Sequence, residues 1–307
     1  MILVRGDYTA RGQAPGDRLP DPRHPQYIRL RLRESDPANQ RRRGGRRQDA
    51  VRDAAARPRF GQLELRARPA RAGGMALDHQ ALHAEAPAYE EWILDWLRKD
   101  WNTLWLSRSQ TGTDAWFDQL TGAAAYGSPK RPYHNLDHLV HGLTEIGVWA
   151  ANNGAPQADV ITLKKAFWFH DAVYGGSKDG QTNEEQSAQL WLSSQLDDAA
   201  AADGPAALIR ATDHSRPRTA AHRLQDVMLG VDLAILGQSA DVYDAYSRSV
   251  REEYSHVDDA AYRAGRTNIL EHFKRSANDG TLFVEPWFSD MYTAQALENI
   301  GRELAAL

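Results

Sequence analysis

The stretch Phe167-Trp168-Phe169-His170-Asp171-Ala172-Val173-Tyr174 sets a histidine and a carboxylate side by side within a run of aromatic and aliphatic residues. Such a run is bound for the interior, where an ionised aspartate is costly unless a cation or several hydrogen bonds hold it. A divalent metal ion meets that need most simply. Two further segments bring ligand atoms into apolar surroundings. Upstream, Tyr133-His134-Asn135-Leu136-Asp137-His138 carries histidines at i and i+4, and downstream Asp232 sits inside the apolar segment 227–236. His138, His170, Asp171 and Asp232 are the expected ligand set. Mixed imidazole and carboxylate ligation suits Mn, Fe, Zn, Co or Ni, with Mg an option if carboxylates and water dominate, as one ion or two.

Outward from these segments the pattern is helical. Trp92, Ile93, Trp96, Leu97, Trp101, Leu104 and Trp105 recur mostly at steps of three and four, the signature of an amphipathic helix with a broad aromatic face. Thr113-Asp114 reads as the cap of a short helix through Leu120, and Gly122 to Pro132 as a loop. A helix is expected over His138 to Ala150, weakened by Gly142 and Gly147, and another over Ala158 to Tyr174 with the His-Asp pair near its end. Asn183-Glu184-Glu185 opens the next, and more follow at about 204–213, 220–236, 239–256, 258–276 and 288–306. No segment alternates with period 2, so the fold class is all-α.

Charge divides the chain. Residues 1–74 hold 18 Arg, no Lys and 8 acidic residues, a net of +10, whereas the other 233 carry 19 basic and 33 acidic residues, a net of −14. The first segment is rich in Arg, Pro, Gly and Ala without sustained periodicity, so a disordered extension is expected there. Its Arg41-to-Arg47 run could bind nucleic acid by charge alone, but the missing lysine points to a biological start at Met75. The acidic remainder argues against nucleic-acid polymers as substrate. With no cysteine, neither disulfides nor thiolate metal sites are possible. Neither a run of ~20 apolar residues nor a secretory signal is present, so the expected location is cytoplasmic with no membrane partner.

The three ligand segments resemble the HD superfamily of metal-dependent phosphohydrolases, which carry a His, then His-Asp, then a distant Asp on an all-α helical bundle. The resemblance covers most of residues 85–307. It is closest to predicted phosphohydrolases of unassigned substrate, on Tyr133-His134-Asn135-Leu136-Asp137-His138-Leu139, Phe169-His170-Asp171-Ala172-Val173-Tyr174, Asn183-Glu184 with Ser187-Ala188, Thr212-Asp213-His214, Asp232-Leu233-Ala234-Ile235-Leu236-Gly237, and Tyr246 with Arg251, Glu253 and Tyr254. The opening Tyr133-His134-Asn135 is also similar to the cyclic-nucleotide phosphodiesterases, although their nucleotide-gripping glutamine segment has no counterpart here.

The resemblance implies an HD-type domain over 75–307, with His138, His170, Asp171 and Asp232 as metal ligands. His134 would be the general acid, with Asp171 beside a metal-activated water that attacks phosphorus in line. It also implies that His214 serves a second metal; a histidine hydrogen-bonded at a helix end is the plainer alternative. Glu184 either orients the water or a ligand, or simply complements a helix dipole. Arg251 could grip phosphate as a bidentate donor and Lys178 could touch it from a Gly-rich loop. Together, however, Arg248, Arg251, Glu252 and Glu253 read first as a solvated, ion-paired helix face. The expected activity is hydrolysis of a small phosphate ester, nucleotides included. The alternatives are an HD-type di-iron oxygenase and a non-catalytic regulatory module.

Overall fold

The aromatic stripe from Trp92 to Trp105 builds helix α1 (Ala86–Leu104) and the residue after it. Ile93, Leu97, Trp101 and Trp105 are buried, and Trp101 meets Trp168 edge-on at 4.9 Å between ring centroids. Edge-to-face pairs of this kind add about 1 kcal/mol to what area burial alone contributes. The computed structural model describes residues 86–105, 110–176, 180–215 and 218–307. The Arg-rich segment 1–74, the start at Met75 and Lys178 lie outside the described residues.

Among the described residues there are ten α-helices and no β-strand, in agreement with the all-α expectation. After α1 come α2 (Gln110–Thr121), α3 (Leu136–Asn153), α4 (Gln157–Phe169) and α5 (Asn183–Ser194). Then follow α6 (Ala199–Ala211), α7 (Gln225–Leu233) with a 3-10 turn over Ala234–Gly237, α8 (Ala240–Glu253), α9 (Asp259–Asn278) and α10 (Pro286–Ala306). No helix is long and apolar enough to cross a membrane among these residues.

Helices α3 and α4 form the centre that positions the site. Phe167, Trp168 and Phe169 of α4 are all fully buried, and the Phe167 ring lies against Gly142 of α3 so closely that a Cβ there would fall inside it. Gly142, which by propensity weakens α3, is therefore what lets the two helices approach. The ends of α3 are well specified. Asn135 caps it, its side-chain oxygen accepting from the backbone N–H groups of Asp137 (2.9 Å) and His138 (3.3 Å), and Gly154 closes it at φ 60°.

Several expected boundaries need correction. Helix α2 already runs from Gln110, so Thr113-Asp114 is no cap; Asp114 instead accepts from Arg98 of α1 at 2.8 Å. Helix α6 begins at Ala199 because the Asp198 side chain accepts from Ala201 N–H at 2.9 Å, and it tolerates Pro205 in its interior. Helix α7 starts at Gln225 rather than near 220. Most consequential, α4 stops at Phe169, which leaves His170 at its C-terminal boundary and Asp171 in the turn beyond. At that boundary the N–H groups are taken elsewhere, Asp171 donating to the Tyr126 hydroxyl and Val173 to Ser187, while the buried Arg131 guanidinium donates to the carbonyls of Asp171 (2.6 Å) and Ala172 (3.1 Å).

Candidate metal centre

Four side chains from three distant segments meet behind the end of α4. His138 Nε2 lies 3.0 Å from His170 Nε2 and 3.5 Å from Asp171 Oδ2. His170 Nε2 lies 3.1 Å from Asp171 Oδ2 and 3.4 Å from Asp232 Oδ1, and His138 Nε2 is 3.9 Å from Asp232 Oδ1. His138, His170 and Asp171 are buried, with one ligand atom from each lying within 4.8 Å of the others. This trio could hold a metal ion.

The chemistry of the donors fits such an ion. His170 Nδ1 is 2.8 Å from the Phe167 carbonyl, which can only accept, so Nδ1 carries the proton and a neutral His170 presents a lone pair at Nε2. That lone pair faces the His138 ring nitrogen and two carboxylates. Without a proton or a cation among them the four groups repel. Two donors about 2.1 Å from one ion and at right angles are about 3.0 Å apart, which matches the shorter edges of this cluster.

The same crowding sets the titration of the cluster. Burial and the neighbouring His170 push His138 down to about 3, so its ring is neutral. Burial acts against the charged form of His170, but Asp171 and Asp232 outweigh it and hold that ring well above the usual histidine value. The carboxyls of Asp171 and Asp232 are likewise opposed by burial, and His170 still brings both below the usual carboxylate range.

His134 stands beside the cluster, outside α3 by two residues, with Nε2 3.8 Å from Asp171 Oδ2. Its Nδ1 lies 2.7 Å from Glu253 Oε2, and its backbone N–H donates to Glu253 Oε1 at 3.1 Å. The ring stacks on Tyr174 at 4.1 Å. Burial opposes its charged form, yet Asp171 and the hydrogen bond to Glu253 outweigh that and raise its pKa. Glu253, read from the sequence as part of a solvated face, is in fact buried, its side chain 3 % exposed.

His214 Nε2 lies 3.0 Å from Asp232 Oδ2, the oxygen that does not face His138 and His170. Glu184, in the first turn of α5, lines the same cavity as Asp171, His134 and His214. Arg251 does not. Its guanidinium donates to the carbonyls of Tyr254 (2.8 Å) and Val257 (3.2 Å) and to Asp259 Oδ1 (2.6 Å), which ties the α8–α9 turn together. The arginine on the cavity wall is Arg266 of α9.

Three positioning groups escaped sequence reasoning. Arg131 fixes the consecutive carbonyls of Asp171 and Ala172, the Tyr126 hydroxyl accepts from Asp171 N–H at 3.1 Å, and Ser187 both accepts from Val173 N–H (3.0 Å) and donates to its carbonyl. Only Ser187 had a signal, through the motif it belongs to. The cavity in front of these groups has a volume of about 920 Å³. No known protein family, curated protein or solved structure matches this chain.

Proposed function

We propose that this chain is an HD-type metal-dependent phosphohydrolase acting on a small phosphate ester. The observation that carries the reading is the convergence of His138, His170, Asp171 and Asp232, of which Asp171 and Asp232 line a cavity together with His134. A divalent ion held there would polarise a phosphoryl oxygen and lower the pKa of water toward neutrality.

The protein's own groups supply the rest. His134 Nδ1–H donates to Glu253, which leaves Nε2 to hold a proton on the Asp171 side of the cavity. The raised pKa favours the protonated ring, whose Nε2 proton can pass to a departing alkoxide. Tyr174, stacked on the ring, keeps water from one of its faces. Asp171 is held by Arg131 and Tyr126 through its backbone, so its carboxylate is aimed before any ligand arrives.

The test is metal analysis of the full chain together with phosphate release from nucleotides, sugar phosphates and aryl phosphates, with Asp171→Ala as control. Equal release by the variant and the parent would sink the proposal. His134→Gln should retain the metal and lose about 10²-fold in phosphate release, the usual contribution of a positioned general acid. One observation favours a second reading, a di-iron oxygenase: His214 on the outer oxygen of Asp232 offers a nitrogen for a second ion. Two irons per chain and an optical band after aerobic purification, without phosphate release, would select it.

A further inference from the structure

Resting on the phosphohydrolase reading, we infer that the substrate carries its phosphate on an uncharged, apolar body. The cavity has two unlike faces. One holds Asp171, Asp232 and His134; the other, from the 3-10 turn, α8, the α8–α9 turn and α9, presents Leu236, Val250, Val257, Ala261, Ile269 and Phe273. At the mouth Ile269 is 49 % exposed and Tyr254 39 %, two of only six large apolar side chains so exposed among the described residues. An apolar body bound beside them would take part of both side chains out of water, which is favourable.

Arg266, Glu184 and Asp213 on the lining point the same way. Arg266 is the cavity's one arginine or lysine among the described residues. Its guanidinium is already committed, donating from Nε and Nη2 to Glu303 at 2.7 and 3.0 Å and from Nη1 to the Tyr246 hydroxyl at 3.2 Å. It therefore has little to offer a second phosphate or a carboxylate. Glu184 and Asp213, also on the lining, would repel one. A ligand with a single anionic head at the metal wall and an aliphatic or aromatic body fits both faces, whereas a polyphosphate or an acidic sugar fits only the first.

The experiment is calorimetry of the full chain loaded with Mn²⁺, titrated with n-alkylphosphonates from ethyl to octyl and with an octyl analogue ending in a carboxylate. Each methylene moved from water onto this wall should tighten binding about two- to fourfold, with a heat-capacity change that grows more negative along the series. The terminal carboxylate should weaken the octyl ligand at least about tenfold. Ile269→Asp, at an exposed position, should flatten the chain-length dependence while circular dichroism stays unchanged. Affinity that is flat along the series, indifferent to the carboxylate, or absent for every phosphonate overturns the inference. Phosphate release from aryl phosphates, followed in parallel, reports on the hydrolase separately. Chain-length dependence without release leaves the apolar wall standing and removes the hydrolase, and release with flat binding does the reverse.

Discussion

Two of the buried charge clusters among the described residues treat burial in opposite ways. Arg266 and Glu303 meet in a two-pronged ion pair whose spare donors and acceptors are met by Tyr246 and Tyr243. That cluster is neutral and complete. Around His138, His170, Asp171 and Asp232 every inward-facing atom is an acceptor or a shared-proton nitrogen, and the carboxylates outnumber any fixed cation. A closed cluster contributes to one fold; an open one costs stability until something positive arrives. Burial alone therefore does not single out a candidate site, whereas buried charge in want of a cation does.

The largest expected effect breaks the open cluster. Asp171→Ala should reduce bound divalent metal to a small fraction of parent and cut phosphate release by about 10³-fold, read by elemental analysis and phosphate assay. Breaking the closed cluster should instead act on stability. Arg266→Met strands Glu303 and should cost about 3–5 kcal/mol in urea unfolding, with part recovered when Glu303→Leu is added. An unfolding midpoint that does not move for Arg266→Met would mean the pair is not the closed cluster described here.

Metal dependence sharpens the contrast. Added divalent ion at about 100 times its Kd should raise the unfolding free energy by about 2.7 kcal/mol, and chelation should reverse it. A thermal midpoint indifferent to Mn²⁺, Zn²⁺, Co²⁺ and Mg²⁺ would count against a metal site. The smallest effect concerns protons on the closed cluster. Burial raises the pKa of Glu303, but Arg266 and the Tyr243 hydroxyl bring it below the usual glutamate value. Its contribution is thus complete above the unfolded pKa, roughly 4.5, and is lost as pH falls through the lower folded value. The stability gap between parent and Glu303→Gln should hold from pH 8 to about 5 and shrink below that. A gap that widens on acidification would contradict this sign.

Much of this architecture was legible from pattern. The candidate ligands stood out because each has apolar residues close by, where an ionisable group needs a reason, and the helices because their apolar steps repeat at three and four. What stayed hidden depended on partners far along the chain. Glu253 sits among Arg248, Arg251 and Glu252, and only the arrival of His134, 119 residues earlier, shows it to be interior. Arg251 and Arg266 are both arginines in polar stretches of helix, and nothing local reveals that the first closes a turn while the second reaches the cavity. Apolar residues continue through Val173 and Tyr174, so periodicity extends α4 too far; the carbonyls that Arg131 captures are not visible in composition. Gly142 looked like a weak point and is a point of contact.

Asn135 separates the two histidines that bracket it. By capping α3 it leaves His134 on a strap fastened to Glu253 and commits His138 to the helical screw, so two neighbours in sequence answer to different anchors. A single inserted residue between Asn135 and His138 would turn His138 by ~100° about the helix axis and carry its ring away from His170, while His134 kept its place. Length, more than chemistry, is what this short stretch cannot change.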